Sequence, residues 1–207
     1  MVDLKRLVVV LTLVAGVAGL ALALVESVTR APIAEQRRLQ MVRALQAVLP
    51  PGDNAPDQDT VRLVAGHTKK GQALERTFYR SRLQGELTGI AFAVTAPDGY
   101  SGNIDIMVGV DPQGTVTGVA ILRHAETPGL GDKIAFPAYT DSFRGQRLDG
   151  ADWRVKKDGG DFDQLTGATI SPRAVVGAIR GGLEFFRDHR AEITGGGEEG
   201  THGDTAR

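Results

Sequence analysis

Nineteen consecutive residues near the start of the chain, Leu7–Val25, carry no charge and are mostly Leu, Val and Ala. About 20 such residues, wound as a helix, span the hydrocarbon core of a bilayer. Lys5 and Arg6 precede the run and Glu26 follows it. The run therefore reads as a transmembrane helix, and whatever follows must fold without it. A cleaved signal peptide is the alternative, because Ala21-Leu22-Ala23 has the small-x-small pattern of a cleavage site. The run is longer than the 7–15-residue apolar core usual in signal peptides, which favours a retained anchor. Arg30, Arg37, Arg38 and Arg43 lie beyond the span, so counting basic residues does not orient it. Long domains translocate largely regardless of charge, and Lys5-Arg6 sits flush against the span. The expectation is a single-pass protein: residues 1–6 as a short cytoplasmic N-terminus, 7–25 as the span, and the rest outside.

Beyond the span, Pro32 is expected to kink or restart the helix, with Leu39, Val42, Leu45 and Leu49 at helical spacing before Pro50-Pro51-Gly52. Residues 26–60 thus read as a juxtamembrane helix and linker. From about Val61 the pattern turns strand-like. Thr77–Tyr79, Ile90–Ala96, Ile104–Val110 and Val116–Leu122 are short runs rich in β-branched and aromatic residues, separated by Gly, Pro and Asp. Asp111-Pro112-Gln113-Gly114 reads as a hairpin turn. Ala135–Asp152, with Phe136, Tyr139 and Phe143, reads as a cover over the core, and Trp153 leads into a short strand and turn. Val175, Val176, Ile179, Leu183 and Phe186 recur at spacings of three and four, which predicts an amphipathic helix to about Arg187. The fold class is α+β: a mostly antiparallel sheet with flanking helices over residues 61–193, behind one transmembrane helix. Thr194–Arg207, glycine-rich and without a large apolar residue, is expected to be a disordered tail.

Composition narrows the chemistry. With 24 basic and 25 acidic residues and no basic cluster interleaved with aromatics, nothing points to nucleic acid as a partner. Zero cysteines exclude disulfides, thiolate metal sites and cysteine nucleophiles. The four histidines are scattered, without the close spacing of a metal site on one element. Any redox chemistry must come from a bound organic cofactor.

Two loops stand out. Glu126-Thr127-Pro128-Gly129-Leu130-Gly131 follows a strand, and Gly129 and Gly131 permit close backbone approach to a ligand. Gly99-Tyr100-Ser101-Gly102 is a flexible approach to a strand, as consistent with an ordinary turn and packed tyrosine as with a site contact. Asp163-Gln164-Leu165-Thr166-Gly167-Ala168-Thr169 runs into Ser171 as an expected N-cap and Pro172 as the first helical residue. A helix N-terminus favours phosphate. Thr169 is thus open to three readings: an ordinary loop residue, a non-covalent phosphate contact, or a covalent attachment point. For the third, a threonine hydroxyl without a neighbouring base is a poor nucleophile, so a separate enzyme is more plausible than self-modification.

Asp163–Thr169 matches the D-x-x-[S/T]-G-A-T signature of flavinylated FMN-binding domains, with Thr166 where Ser is common. Together with Glu126–Gly131 and the single span, the chain resembles the G subunits of the Rnf/Rsx ion-translocating electron-transport complexes over all but its tail. The C subunit of the sodium-translocating NADH:quinone reductase shares both motifs but is usually longer. The resemblance implies FMN joined through its phosphate to Thr169 by a flavin transferase. It implies a redox-carrier subunit in the bacterial inner membrane, its bulk periplasmic, passing electrons between other subunits of a translocase, without turnover of its own. It also makes Glu126, Thr127, Gly129, Leu130 and Gly131 a second wall of the flavin pocket. Asp163, Thr166, Gly167, Ala168 and Ser171 join Thr169 as residues for cofactor binding or transferase recognition. The different-class alternative is an anchored, non-redox assembly module.

Overall fold

A computed structural model describes residues 4–67 and 71–195; the glycine-rich tail beyond Gly195 lies outside the described residues. Helix α1 runs unbroken over Leu4–Val48. The segment Arg6–Arg30 within it is long and apolar enough to cross a membrane, and none of its most apolar stretch is buried by the protein. Thr12, Ser27 and Thr29 turn their hydroxyls back to the carbonyls of Val8, Leu24 and Val25, so the polar groups of this stretch are satisfied within the helix. The helix does not restart at Pro32. Proline removes one backbone donor and crowds the preceding turn, at about 3 kcal/mol, and here the helix passes through it. The chain divides into two compact units, Met1–Val42 and Arg43–Arg207.

The second unit holds a five-stranded antiparallel meander in the order β1-β2-β3-β4-β5. Its strands are β1 (Thr60–His67), β2 (Ala73–Leu83), β3 (Glu86–Ala96), β4 (Ile104–Val110) and β5 (Val116–Arg123). The expected α+β class and the strand runs are both found. The Asp111 turn forms as read: Asp111 Oδ1 accepts the N–H groups of Gln113 and Thr115, and Gly114 takes φ +88°. The β2–β3 turn carries no Asn-Gly or Asp-Gly signal. Gln84 and Gly85 nonetheless both adopt positive φ, 54° and 82°, as a two-residue type I′ loop requires.

Alternation places Ile90, Phe92 and Val94 of β3 and Ile104, Ile106 and Val108 of β4 on one face. Helix α3 (Ile170–Asp188) covers that face with Val175, Val176, Ile179, Leu183 and Phe186. Gly182 lies where a Cβ would meet Phe92 and Val94 side-chain carbons at 2.8 and 2.7 Å. On the other face, Gly109 and Gly118 stand opposite each other in the β4–β5 ladder. The backbone of Ala47 and Val48 rests against this glycine pair, and Thr117 donates its hydroxyl to the Val48 carbonyl at 2.5 Å. A Cβ on Gly109 would fall on that carbonyl, which belongs to the main chain and cannot rotate away. Gly109→Ala is expected to destabilise the domain by about 1–3 kcal/mol, as overpacking does, read by chemical denaturation.

Asp59 ties β2 to the segment before β1, accepting from Arg80 Nε at 2.6 Å and Arg82 Nε at 2.8 Å. Burial opposes its ionisation, but the two guanidiniums outweigh that and hold its carboxyl below the usual range. Stability from this group is fully present above the unfolded carboxylate value of about 3.9 and is lost as pH falls through the lower folded value. Melting temperatures of the wild type and Asp59→Asn should therefore differ at pH 7 and converge as pH falls below about 4.

Beyond β5, α2 (Pro137–Thr140) and short 3-10 turns form the cover. Tyr139 and Phe143 are buried in it, while Phe136 is 52% exposed. The strand expected after Trp153 is only a single bridge, Val155 to Phe162, followed by a 3-10 turn at Lys156–Asp158. A short helix α4 (Arg190–Thr194) ends the described chain.

Candidate functional site

At the end of the sheet where β3 and β5 finish, two loops meet the N-terminus of α3. Each loop turns on a glycine in the left-handed region. In Thr127-Pro128-Gly129-Leu130, Gly129 has φ +77° and the Leu130 N–H reaches the Thr127 carbonyl at 3.2 Å. In Leu165-Thr166-Gly167-Ala168, Gly167 has φ +82° and the Ala168 N–H reaches the Leu165 carbonyl at 3.0 Å. Glycine third in such a turn is the type II signature. The two turns face each other, and a Cβ on Gly167 would meet Leu130 Cδ2 at 3.3 Å.

Between them opens a pocket of about 330 Å³. The motif side contributes Gly167, Ala168, Thr169, Ile170 and Ser171, and the facing loop contributes Glu126, Thr127, Leu130 and Gly131. Tyr100 joins from the loop after β3. Tyr100, Leu130 and Ile170 stand 69%, 44% and 45% exposed, so the mouth carries apolar surface. The volume falls in the range of about 300–1,000 Å³ common for small-molecule sites.

Thr169 is the N-cap residue of α3, and its side chain makes no capping hydrogen bond. An N-cap side chain normally takes the N–H of the second or third helical residue. The third is Pro172, which has no N–H. The sequence pattern puts the cap at Ser171 and the helix start at Pro172; both lie inside the first turn instead. Ser171 is 1% exposed and donates its hydroxyl to Glu126 Oε2 at 2.5 Å, so it is committed to the opposite wall and does not cap. The Pro172 carbonyl accepts the Tyr139 hydroxyl at 3.3 Å. Burial first, and then the charge of Asp163, pushes that phenol well above its usual range, which keeps it a donor.

Not every residue singled out from sequence lines the cavity. Asp163 is exposed and its carboxylate pairs with Lys156 Nζ at 2.6 Å. Gln164 accepts the Lys157 N–H at 3.1 Å, and Arg173 forms a two-pronged pair with Asp158. The first half of the motif is thus strapped to the 3-10 turn before it, outside the pocket. Thr166 is off the lining as well, and Gly129 serves its turn. His124 accepts the Glu126 N–H at 3.2 Å, an ordinary hydrogen-bonded histidine. Tyr100 and Ile170 are the additions. Tyr100 sits in a loop that reads equally well as a plain turn, and a lone apolar residue at a helix start gives no signal. Among the described residues no group of three or more His, Cys, Asp or Glu is placed to hold a metal.

Residues 99–184 match the model of the FMN-binding domain family, and this stretch holds every residue that lines the pocket. Over almost its whole length the chain is similar to the G subunit of the ion-translocating oxidoreductase complex of Aliivibrio fischeri strain ES114. The two are 41% identical over 197 residues, covering 92% of this chain and 93% of the relative. The chain belongs to the family of these G subunits. The corresponding G subunit of Pseudomonas aeruginosa strain UCBPP-PA14 is 44% identical over 187 residues, with 87% of each chain covered. Among solved structures, Shewanella oneidensis NqrC superposes with a TM-score of 0.51 at 22% identity, covering 73% of this chain and 74% of that one. That likeness shows the fold. The sequence resemblance to G subunits of ion-translocating complexes is thereby borne out, with the FMN-binding domain following an apolar N-terminal helix.

Proposed function

We propose that this chain carries FMN joined through its phosphate to Thr169, and that it relays electrons within a membrane complex coupling electron flow to ion translocation. The observation that carries the reading is Thr169 itself: a helix N-cap hydroxyl that makes no capping bond, on the wall of a pocket of about 330 Å³. The residues suit the group. Gly167 and Ala168 leave room beside the hydroxyl, and Leu130, Ile170 and Tyr100 offer apolar and aromatic surface to a flat ring. The N-terminus of α3 favours the charge that a phosphodiester retains. When bound, the flavin supplies the electron chemistry; the protein supplies position and electrostatics.

Making a phosphodiester from an alcohol requires an activated phosphate. The donor is a flavin nucleotide whose phosphate sits in an anhydride, such as FAD. The Thr169 Oγ–P bond forms, the anhydride P–O bond breaks, and a nucleoside monophosphate leaves with the electron pair. The threonine proton goes to a base on the transferase, since no histidine lines the pocket and the Glu126 carboxylate there already accepts the Ser101 N–H and the Ser171 hydroxyl. No electrons are transferred in this step. Asp163 and Thr166, outside the cavity, are assigned to the surface that the transferase recognises.

In the complex the chain is anchored once in the inner membrane by its N-terminal helix, with the flavin domain on the periplasmic side and the other subunits of the complex as its partners. The relatives at 41% and 44% identity are G subunits, which favours that assignment over a C subunit of a sodium-translocating NADH:quinone reductase. The full chain co-produced with a flavin transferase should be yellow after denaturation and heavier by one FMN less water. A chain of unmodified mass from flavin-replete, transferase-containing cells would sink the proposal.

A further inference from the structure

The three stretches that build the pocket meet at one side chain. Glu126 is 4% exposed, although it is a carboxylate in a loop. Its Oε1 accepts the backbone N–H of Ser101, beside Tyr100, at 3.2 Å. Its Oε2 accepts the hydroxyl of Ser171, in the first turn of α3, at 2.5 Å. Two glycines are fitted to the same group: a Cβ on Gly99 would lie 2.8 Å from Oε1, and one on Gly131 would lie 2.8 Å from Oε2. Burying a carboxylate is costly unless donors meet it. Here both donors come from the other walls of the pocket.

We infer that Glu126 is a positioning residue for modification of Thr169. By holding Ser101 and Ser171 it fixes the Tyr100 loop and the first turn of α3 relative to each other, and with them the direction in which the Thr169 hydroxyl, two residues before Ser171, is presented. The inference rests on the flavin reading of the pocket. Glu126 takes no part in the bond change: the Oγ–P bond forms, the anhydride bond breaks and the proton leaves to the transferase, as above.

Two replacements separate the clasp from the charge. In Glu126→Gln the amide oxygen accepts from Ser101 and the amide N–H donates to the Ser171 hydroxyl, which has lone pairs to accept it. The clasp survives and the charge is gone. Glu126→Ala removes both arms, and Ser171→Ala removes one. Full-length chains in detergent would be incubated with purified flavin transferase and FAD, and covalent flavin per folded molecule followed by in-gel fluorescence, with circular dichroism reporting the folded fraction. Glu126→Ala is expected to incorporate flavin about ten- to a hundredfold more slowly, the scale of a small misplacement of a reacting group. Ser171→Ala should be intermediate, and Glu126→Gln should recover a rate close to the wild type. Incorporation by Glu126→Ala at the wild-type rate, or by Glu126→Gln as slowly as by Glu126→Ala, overturns the inference. If Glu126→Ala does not fold, Ser171→Ala at the wild-type rate overturns it equally. A wild-type chain that takes no flavin overturns the pocket reading as well, an outcome distinct from flavin on the wild type and no difference among the variants.

Discussion

Thr169→Ala is expected to abolish covalent flavin, while Thr169→Ser retains it. The two changes differ in one respect that matters, the hydroxyl. Alanine is also a poor N-cap, and losing a Ser or Thr cap commonly costs about 0.5–2 kcal/mol. That loss should be smaller here, because the Thr169 side chain makes no capping hydrogen bond. Thr169→Ala should therefore melt close to the wild type while losing all in-gel flavin fluorescence and the added mass. A folded Thr169→Ala chain that still held flavin through denaturation would move the attachment elsewhere. Thr166 is the control, because it lies off the pocket lining. Thr166→Ala should leave the attachment chemically possible and affect only how well the transferase engages the loop.

The second large effect is expected at Phe162, the residue just before Asp163. It is 2% exposed, and its ring lies 4.9 Å from Phe143 and 4.7 Å from Trp153, centroid to centroid. Phe143 in turn meets Tyr139 edge-on at 5.4 Å, and Tyr139 holds the Pro172 carbonyl. This aromatic cluster is the floor on which the motif loop rests. Phe162→Ala should cost about 3–5 kcal/mol, the usual loss for a buried phenylalanine. For a domain of this size that lowers the melting temperature by roughly 6–20 °C. Flavin incorporation should fall with it, even below the melting temperature, because the loop loses its anchor on one side. Lys156→Ala, which removes only the exposed pair to Asp163, should change stability by less than about 1 kcal/mol. The contrast distinguishes the buried anchor from the surface strap.

Much of the fold was legible because its signals are local. Strand alternation, the Asp111 turn and the amphipathic period of α3 each depend on residues a few positions apart, and each forms. The apolar run at Leu7–Val25 likewise needs no tertiary context. The helix does not restart at Pro32, because a proline's effect depends on whether the helix around it can absorb one missing hydrogen bond. Capping failed for a related reason. Ser171 has the chemistry of an N-cap, but a buried carboxylate 45 residues earlier took its hydroxyl, and the helix begins at Ile170 instead of Pro172.

What the sequence by itself determined is the apolar N-terminal helix, the α+β class, and the threonine at a phosphate-favouring helix start next to small residues. These follow from composition, periodicity and the conformational limits of Gly and Pro, which act within a few residues. What only the tertiary structure decided is which residues share a wall. It set Leu130 over Gly167, brought Tyr100 and Ile170 to the pocket, turned Asp163 outward to Lys156, and buried Glu126 between Ser101 and Ser171. The physical reason is that burial and hydrogen-bond pairing of a carboxylate are settled by groups tens of residues away. The small residues beside Thr169 are read from the chain; the Glu126 clasp between Ser101 and Ser171 exists only once the sheet has brought three stretches to one end.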